Sequence, residues 1–196
     1  MSERITRRTV IASATFVPLA ALTATAQPPA TALSADELKT LEAFIDRLVP
    51  ADENGPGAVE CGAAVYIDRA LAGALAAEKQ AFSDGLAGVA TLGRTTHNAE
   101  FATLTPEVRD EILTSMDNGS AAGFPGARAF FNRVRRLTLE GMFSDPYYGG
   151  NKNFAGWELI RYPGPRLAVA PEDQRMGTSP KPYRRSAYGT GSYSAR

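Results

Sequence analysis

From Leu33 onward, apolar residues return every three or four positions, and that spacing predicts helices. Leu38, Leu41, Ile45, Leu48 and Val49 form the first apolar face. Ser34 and Glu37 stand as an S-x-x-E capping box in front of it, Leu33 is placed to staple onto Leu38, and Pro50 stops it. A second helix is expected from near Val59 to about Ala76, offering Val65, Ile67, Leu71 and Leu75 for burial. A third follows from Glu78, with Phe82, Leu86, Val89 and Leu92 in step and Gly85, Gly88 and Gly93 weakening it. Thr105-Pro106-Glu107 opens a fourth, capped by the threonine, whose inner side carries Leu104, Val108, Ile112 and Met116. A fifth starts near Ala127: Phe130, Val134, Leu137 and Gly141 share a stripe with Phe131, Thr138 and Met142 beside it, and Arg133, Arg135, Arg136 and Glu140 lie largely opposite. Period-two alternation is scarce and no solenoid repeat appears, so the fold class is all-α. We expect a small helical domain of about five helices over 34–166 that includes a long aromatic and glycine-rich C-terminal loop.

Both ends depart from this pattern. Arg4, Arg7 and Arg8 precede an apolar run from Val10 to Ala26, and Ala24-Thr25-Ala26 fits a small-x-small cleavage site, so 1–26 reads as an export signal. A membrane anchor is the competing reading, which the weakly hydrophobic alanines and threonines and the interrupting Pro18 disfavour. The Arg7-Arg8 pair suits the twin-arginine route, while Val10 and Ile11, in place of its usual Phe-Leu, keep an ordinary secretory signal open. Residues 27–33 form a short lead. Beyond Arg166 the chain is rich in Gly, Pro, Ser and isolated tyrosines with few aliphatic residues, so 167–196 is expected to be a flexible tail, disordered on its own. Its tyrosines and arginines suit it to fold onto a partner's surface.

Composition narrows the chemistry. With 196 residues, 44% of them hydrophobic, the chain supports one domain with a proper core. Its 21 basic and 21 acidic side chains balance, which argues against nucleic acid as a partner. The single cysteine, Cys61, has no internal disulfide mate. It reads either as a buried inert thiol or as an intersubunit thiol bridging to another chain. The only histidine, His97, is expected beyond the third helix and is assigned no role. Asp52, Glu53 and Asn54 lack the alternation of a calcium loop and read as a solvated turn. Dinucleotide, phosphate-cradling, serine-nucleophile and haem-attachment motifs are all missing, so no catalytic, cofactor or metal residue is assigned to this chain. A folded-protein export signal without a cofactor motif suggests that something else, carried along, holds the cofactor.

The chemistry that remains is concentrated in 141–166, "GMFSDPYYGGNKNFAGWELIRYPGPR", with five glycines, three prolines and the rings of Phe143, Tyr147, Tyr148, Phe154, Trp157 and Tyr162. Asp145-Pro146 begins a turn, and Gly149-Gly150-Asn151 can adopt positive φ. Such a loop packs onto its own helices, presents a sugar-binding platform with Asp145 and Asn151 as polar groups, or docks another protein. Gly141 to Asp145, Pro146, Tyr148 to Asn151, Gly156-Trp157, Ile160 and Tyr162-Pro163-Gly164 resemble the signature of the gluconate 2-dehydrogenase subunit 3 family, and Leu48 to Leu71 resembles its upstream segments. Arg161 stands where that pattern has a small residue, often glycine.

The resemblance implies a non-catalytic small subunit that binds a large FAD-dependent dehydrogenase of the glucose-methanol-choline kind. It implies escort of that subunit to the periplasm by the twin-arginine route, a cytochrome c subunit as a further partner, and membrane contact only through partners. FAD would belong to the large subunit. The residues expected to meet the partner are Phe143, Asp145, Tyr147, Tyr148, Asn151, Trp157 and Tyr162. The alternative is a stand-alone periplasmic sugar-binding protein or enzyme using the 141–166 loop.

Overall fold

α1 (Ala35–Leu48) opens on the expected capping box: the Ser34 hydroxyl accepts the Glu37 N–H at 3.3 Å, and the Glu37 carboxylate accepts the Ser34 N–H at 2.7 Å. The structure is a computed structural model and describes residues 31–166, 168–177 and 183–189. The proposed signal residues Arg7, Arg8, Ala24 and Ala26 lie outside the described residues.

α2 (Ala63–Ala72) is shorter than its apolar pattern suggests. Val59 to Gly62 are turns, because Gly62 takes a left-handed φ of 76° and redirects the chain just before the helix. Its buried face is Ala63, Ala64, Ile67 and Leu71, and Val65, expected inside, points outward at 40% exposure. α3 (Lys79–His97) runs through His97, which sits in its last turn instead of beyond it. The glycines of α3 are packing sites: a Cβ at Gly85 would lie 2.2 Å from the Phe130 ring, and one at Gly88 would lie 2.7 Å from Phe124. α4 (Pro106–Asn118) begins with proline in its first turn as expected. Thr105 occupies its cap position without a side-chain bond to the helix backbone; the Glu107 carboxylate is held below its ordinary pKa by its own backbone N–H and by the Thr105 hydroxyl. α5 (Ala127–Phe143) buries Phe130, Phe131, Val134, Leu137, Thr138, Gly141 and Met142, the two stripes read from its periodicity. A sixth helix, α6 (Ala155–Leu159), lies inside the aromatic loop and was not foreseen.

The five longer helices close around Phe44, which is fully buried with ring centroids of Phe131, Phe101 and Phe130 at 5.9, 6.3 and 6.3 Å. Offset aromatic clusters of this kind add to the stabilisation from burial alone. At the edge of the core, Arg47 of α1 clamps Asp110 of α4 with two hydrogen bonds of 2.8 and 2.9 Å. Asp68 of α2 is buried, and one of its oxygens accepts the N–H groups of Ala32 and Leu33 at 2.8 Å each. That contact fixes the chain where it enters α1. Among the described residues there is no strand beyond two isolated bridges, and no helix is long and apolar enough to cross a membrane.

Candidate functional site

The aromatic loop begins where α5 ends. Asp145 is extended, and its Oδ1 accepts the Tyr147 N–H at 2.9 Å, which starts the single turn Pro146–Tyr148. Gly149, at φ 100°, turns the chain back toward the helices. Asn151 then donates its backbone N–H to Gly141 at 2.7 Å, and Lys152 donates its own to the Cys61 carbonyl at 2.9 Å. The loop therefore lies along the seam between α5 and the start of α2. A side chain at Gly150 would put Cβ 2.0 Å from the Gly141 carbonyl, and one at Gly156 would put it 1.9 Å from that of Met142. At these two positions backbone packs directly on backbone.

Asn151 holds the loop together. It is fully enclosed, its Nδ2 donates to the Ser144 carbonyl at 2.9 Å, and its Oδ1 accepts the N–H groups of Gly156 and Trp157 at 2.9 and 3.3 Å. Only a carboxamide supplies a donor and an acceptor on one short stem to serve all three. Trp157 follows it inward, 7% exposed, with its indole N–H on the Phe143 carbonyl at 2.8 Å and its ring 4.9 Å from that of Tyr162. Four non-glycine residues of this segment, Asn151, Asn153, Phe154 and Arg161, take left-handed φ values between 45° and 63°. Asparagine visits this region readily, but at Phe154 and Arg161 it costs roughly 1–2 kcal/mol. Strain concentrated in one segment points to a functional surface. Arg161, at φ 54°, stands where a small residue was expected, and glycine would adopt that backbone without strain.

The other rings face solvent. Tyr147, Tyr148 and Tyr162 are 50%, 45% and 39% exposed, and Ile160 beside them is 54% exposed. Phe143, Asp145, Trp157, Ile160, Tyr162 and Ala187 contribute to a shallow cleft of about 330 Å³. Ala187 belongs to the tail, expected to be disordered on its own; its residues 183–189 lie on this loop. Tyr188 stacks on Tyr147 at 4.3 Å, and the Tyr148 and Tyr188 hydroxyls share a 2.6 Å hydrogen bond that raises the Tyr148 pKa. The Ala187 N–H donates to Asp145 Oδ2 at 2.8 Å.

Of the seven loop residues named from the sequence, then, three tyrosines present surface, Phe143 and Asp145 border the cleft, and Asn151 and Trp157 position the rest from within. Each Asp145 oxygen accepts one backbone N–H, the second from Ala187 of the tail, and both the oxygen and the nitrogen of the Asn151 amide are bonded to backbone. A sugar platform could share the Asp145 carboxylate but not the enclosed Asn151. Cys61 is buried under the loop, and burial, with Glu60 nearby, pushes its thiol up to about 11. As folded, it presents no sulfur to another chain. Sequence reasoning passed over Arg69 of α2, whose side chain lies against Gly149 with its Nε enclosed and unbonded among the described residues. It also passed over Arg184, which donates to the Asn153 carbonyl at 2.6 Å and pairs with Glu158 at 3.2 Å. Among the described residues no group of three or more His, Cys, Asp or Glu side chains could hold a metal ion.

Residues 35–164, from the first helical residue to the glycine that ends the loop's Tyr-Pro-Gly, match the protein-family model described as gluconate 2-dehydrogenase subunit 3. No curated protein and no solved structure matches the chain.

Proposed function

Because the chain belongs to the gluconate 2-dehydrogenase subunit 3 family, we propose that it is a non-catalytic small subunit whose aromatic loop docks a large FAD-dependent dehydrogenase subunit of the glucose-methanol-choline kind. The complex oxidises a sugar or sugar acid, with FAD and the substrate held by the large subunit and a cytochrome c subunit as the onward partner. The small subunit carries the twin-arginine signal for both chains, which cross together into the periplasm already assembled. Contact with the membrane comes only through the partners.

The observation that carries this reading is the extent of the family match, which takes in the helices and the aromatic loop as far as Gly164. Its support from geometry is the division of labour in that loop. Asn151, Gly150, Gly156 and Trp157 fix the loop backbone from inside, and the result is a row of half-exposed tyrosines at the surface. Tyrosine is a frequent anchor of protein interfaces, because it brings a large ring and a hydrogen-bonding tip at small entropic cost. The stand-alone sugar-binding alternative is disfavoured by the enclosure of Asn151 inside the loop.

Affinity purification of the tagged chain from its native host tests the reading. The expected result is co-recovery of a larger chain with bound flavin, reduced severalfold by Tyr147→Ala and Tyr148→Ala together. These substitutions leave the buried scaffold intact. Recovery of the small chain alone, or flavin bound to it without a companion, overturns the reading. Deleting the chain should leave the large subunit in the cytoplasm.

A further inference from the structure

The described end of the tail sits on the face that the proposed function assigns to the partner. It is held there by contacts spread over its length. The Tyr183 N–H donates to the Pro163 carbonyl at 2.8 Å. Gly164, at φ 82°, lets the Tyr183 carbonyl pass where a Cβ would be 2.3 Å away. Arg184 bonds the Asn153 carbonyl, pairs with Glu158 and lies over the Phe154 ring at 5.9 Å. Ser186 is buried, the Ala187 N–H occupies Asp145 Oδ2, and Tyr188 covers Tyr147 and meets the Tyr148 hydroxyl.

The character of these contacts matters as much as their number. Tyr183 and Tyr188 remain 47% and 56% exposed while docked, and Arg184 and Glu158 are also half-exposed. No large apolar side chain of 183–189 enters the helical core. Exposed ion pairs and half-open aromatic stacks are individually weak, so the segment is well placed but readily lifted. It follows the loop as an extended peptide offering a backbone donor, a guanidinium and an aromatic ring.

We propose that residues 183–189 are a detachable latch on the tyrosine face, and that the partner chain docks by displacing them with an extended segment of similar chemistry, one with an arginine and an aromatic ring set to meet Glu158 and Tyr147. The proposal rests on the partner-docking reading of the loop. In the isolated chain the latch covers one face of Tyr147 and the edge of the Trp157 cleft; in the complex it is free. The bound fraction of latch therefore lowers the apparent affinity for the partner, as any competing closed state does.

The test compares the full chain, a chain ending at residue 182, and Tyr188→Ala, each titrated with the large subunit purified from the native host after dissociation from the endogenous small chain. Trp157 is the only tryptophan, so acrylamide quenching of its emission reports on the cleft in each isolated protein. We expect greater quenching in both altered chains, unchanged helical circular dichroism, and tighter binding by on the order of tenfold for the shortened chain if the latch is nine-tenths closed. Hydrogen exchange at 183–189 should rise when the large subunit binds the full chain. Equal or weaker binding by the shortened chain, with the full chain still binding, overturns the latch and leaves the docking reading standing. Failure of all three chains to bind overturns the docking reading, and the displacement with it.

Discussion

The helical core and the aromatic loop adjoin along α5, yet they are held by different means. Around Phe44 the chain is fixed by side chains filling volume, with Leu41, Ile45, Ile67, Met116 and Leu137 all fully buried. Around Asn151 it is fixed by backbone approaching backbone, with one carboxamide bonded to three peptide groups. The core tolerates shape changes by repacking, at a cost that grows with the volume lost. The loop has no comparable slack at Gly150 and Gly156, since the atoms in the way are carbonyl oxygens of the helix it lies on. Stability and surface presentation are thus assigned to different physical interactions and should fail separately.

The largest expected effect lies on the core side. Phe44→Ala removes the ring common to three aromatic pairs and should cost about 3–5 kcal/mol. Denaturant unfolding should show the whole helical signal and Trp157 emission shifting together. Asn151→Ala strands the Gly156 and Trp157 N–H groups and the Ser144 carbonyl, and should cost about 1–3 kcal/mol. Here Trp157 emission should move to the red at a lower denaturant concentration than the helical signal. If the two transitions stay coincident, loop and core are one cooperative unit and the comparison breaks.

Two smaller effects sharpen it. Arg161→Gly relieves a left-handed φ of 54° at an exposed site and should stabilise by about 0.5–1 kcal/mol, seen as slower hydrogen exchange around Trp157 and Tyr162. On the core side, the Arg47 guanidinium bonded to Asp110 holds that carboxyl below its ordinary range. A depressed carboxyl pKa contributes stability above the unfolded value, near pH 4, and that contribution is lost as pH falls through the folded value. Asp110 is about half-exposed, so the effect is at most about 1 kcal/mol. Asp110→Asn should reduce stability at pH 7 by that amount and flatten the acid limb of the melting temperature, leaving Trp157 emission unchanged.

The two regions were also unequally legible. Faces such as Phe82, Leu86, Val89 and Leu92 follow from spacing alone, because each contact depends on a residue's own place on its helix. Val65 misled because an apolar residue in a short helix looks like core whichever way it points. Asn151 looked like an ordinary turn residue. Its enclosure depends on the chain closing back onto Gly141, which no local pattern encodes. The family resemblance located the loop, and the glycines hinted at close approach, but which groups face in and which face out required the fold. The tail was read by composition as a segment without order of its own, and composition does not reveal that a complementary surface lies on the same chain.

The clamp that Asp68 places on Ala32 and Leu33 has a mechanical consequence. Tension applied to the chain preceding residue 32 reaches the middle of α2 through a carboxylate and two peptide groups, next to Arg69, which lies against Gly149. A pull on the chain ahead of residue 32 would therefore load α2, beneath the tyrosines, along with the start of α1.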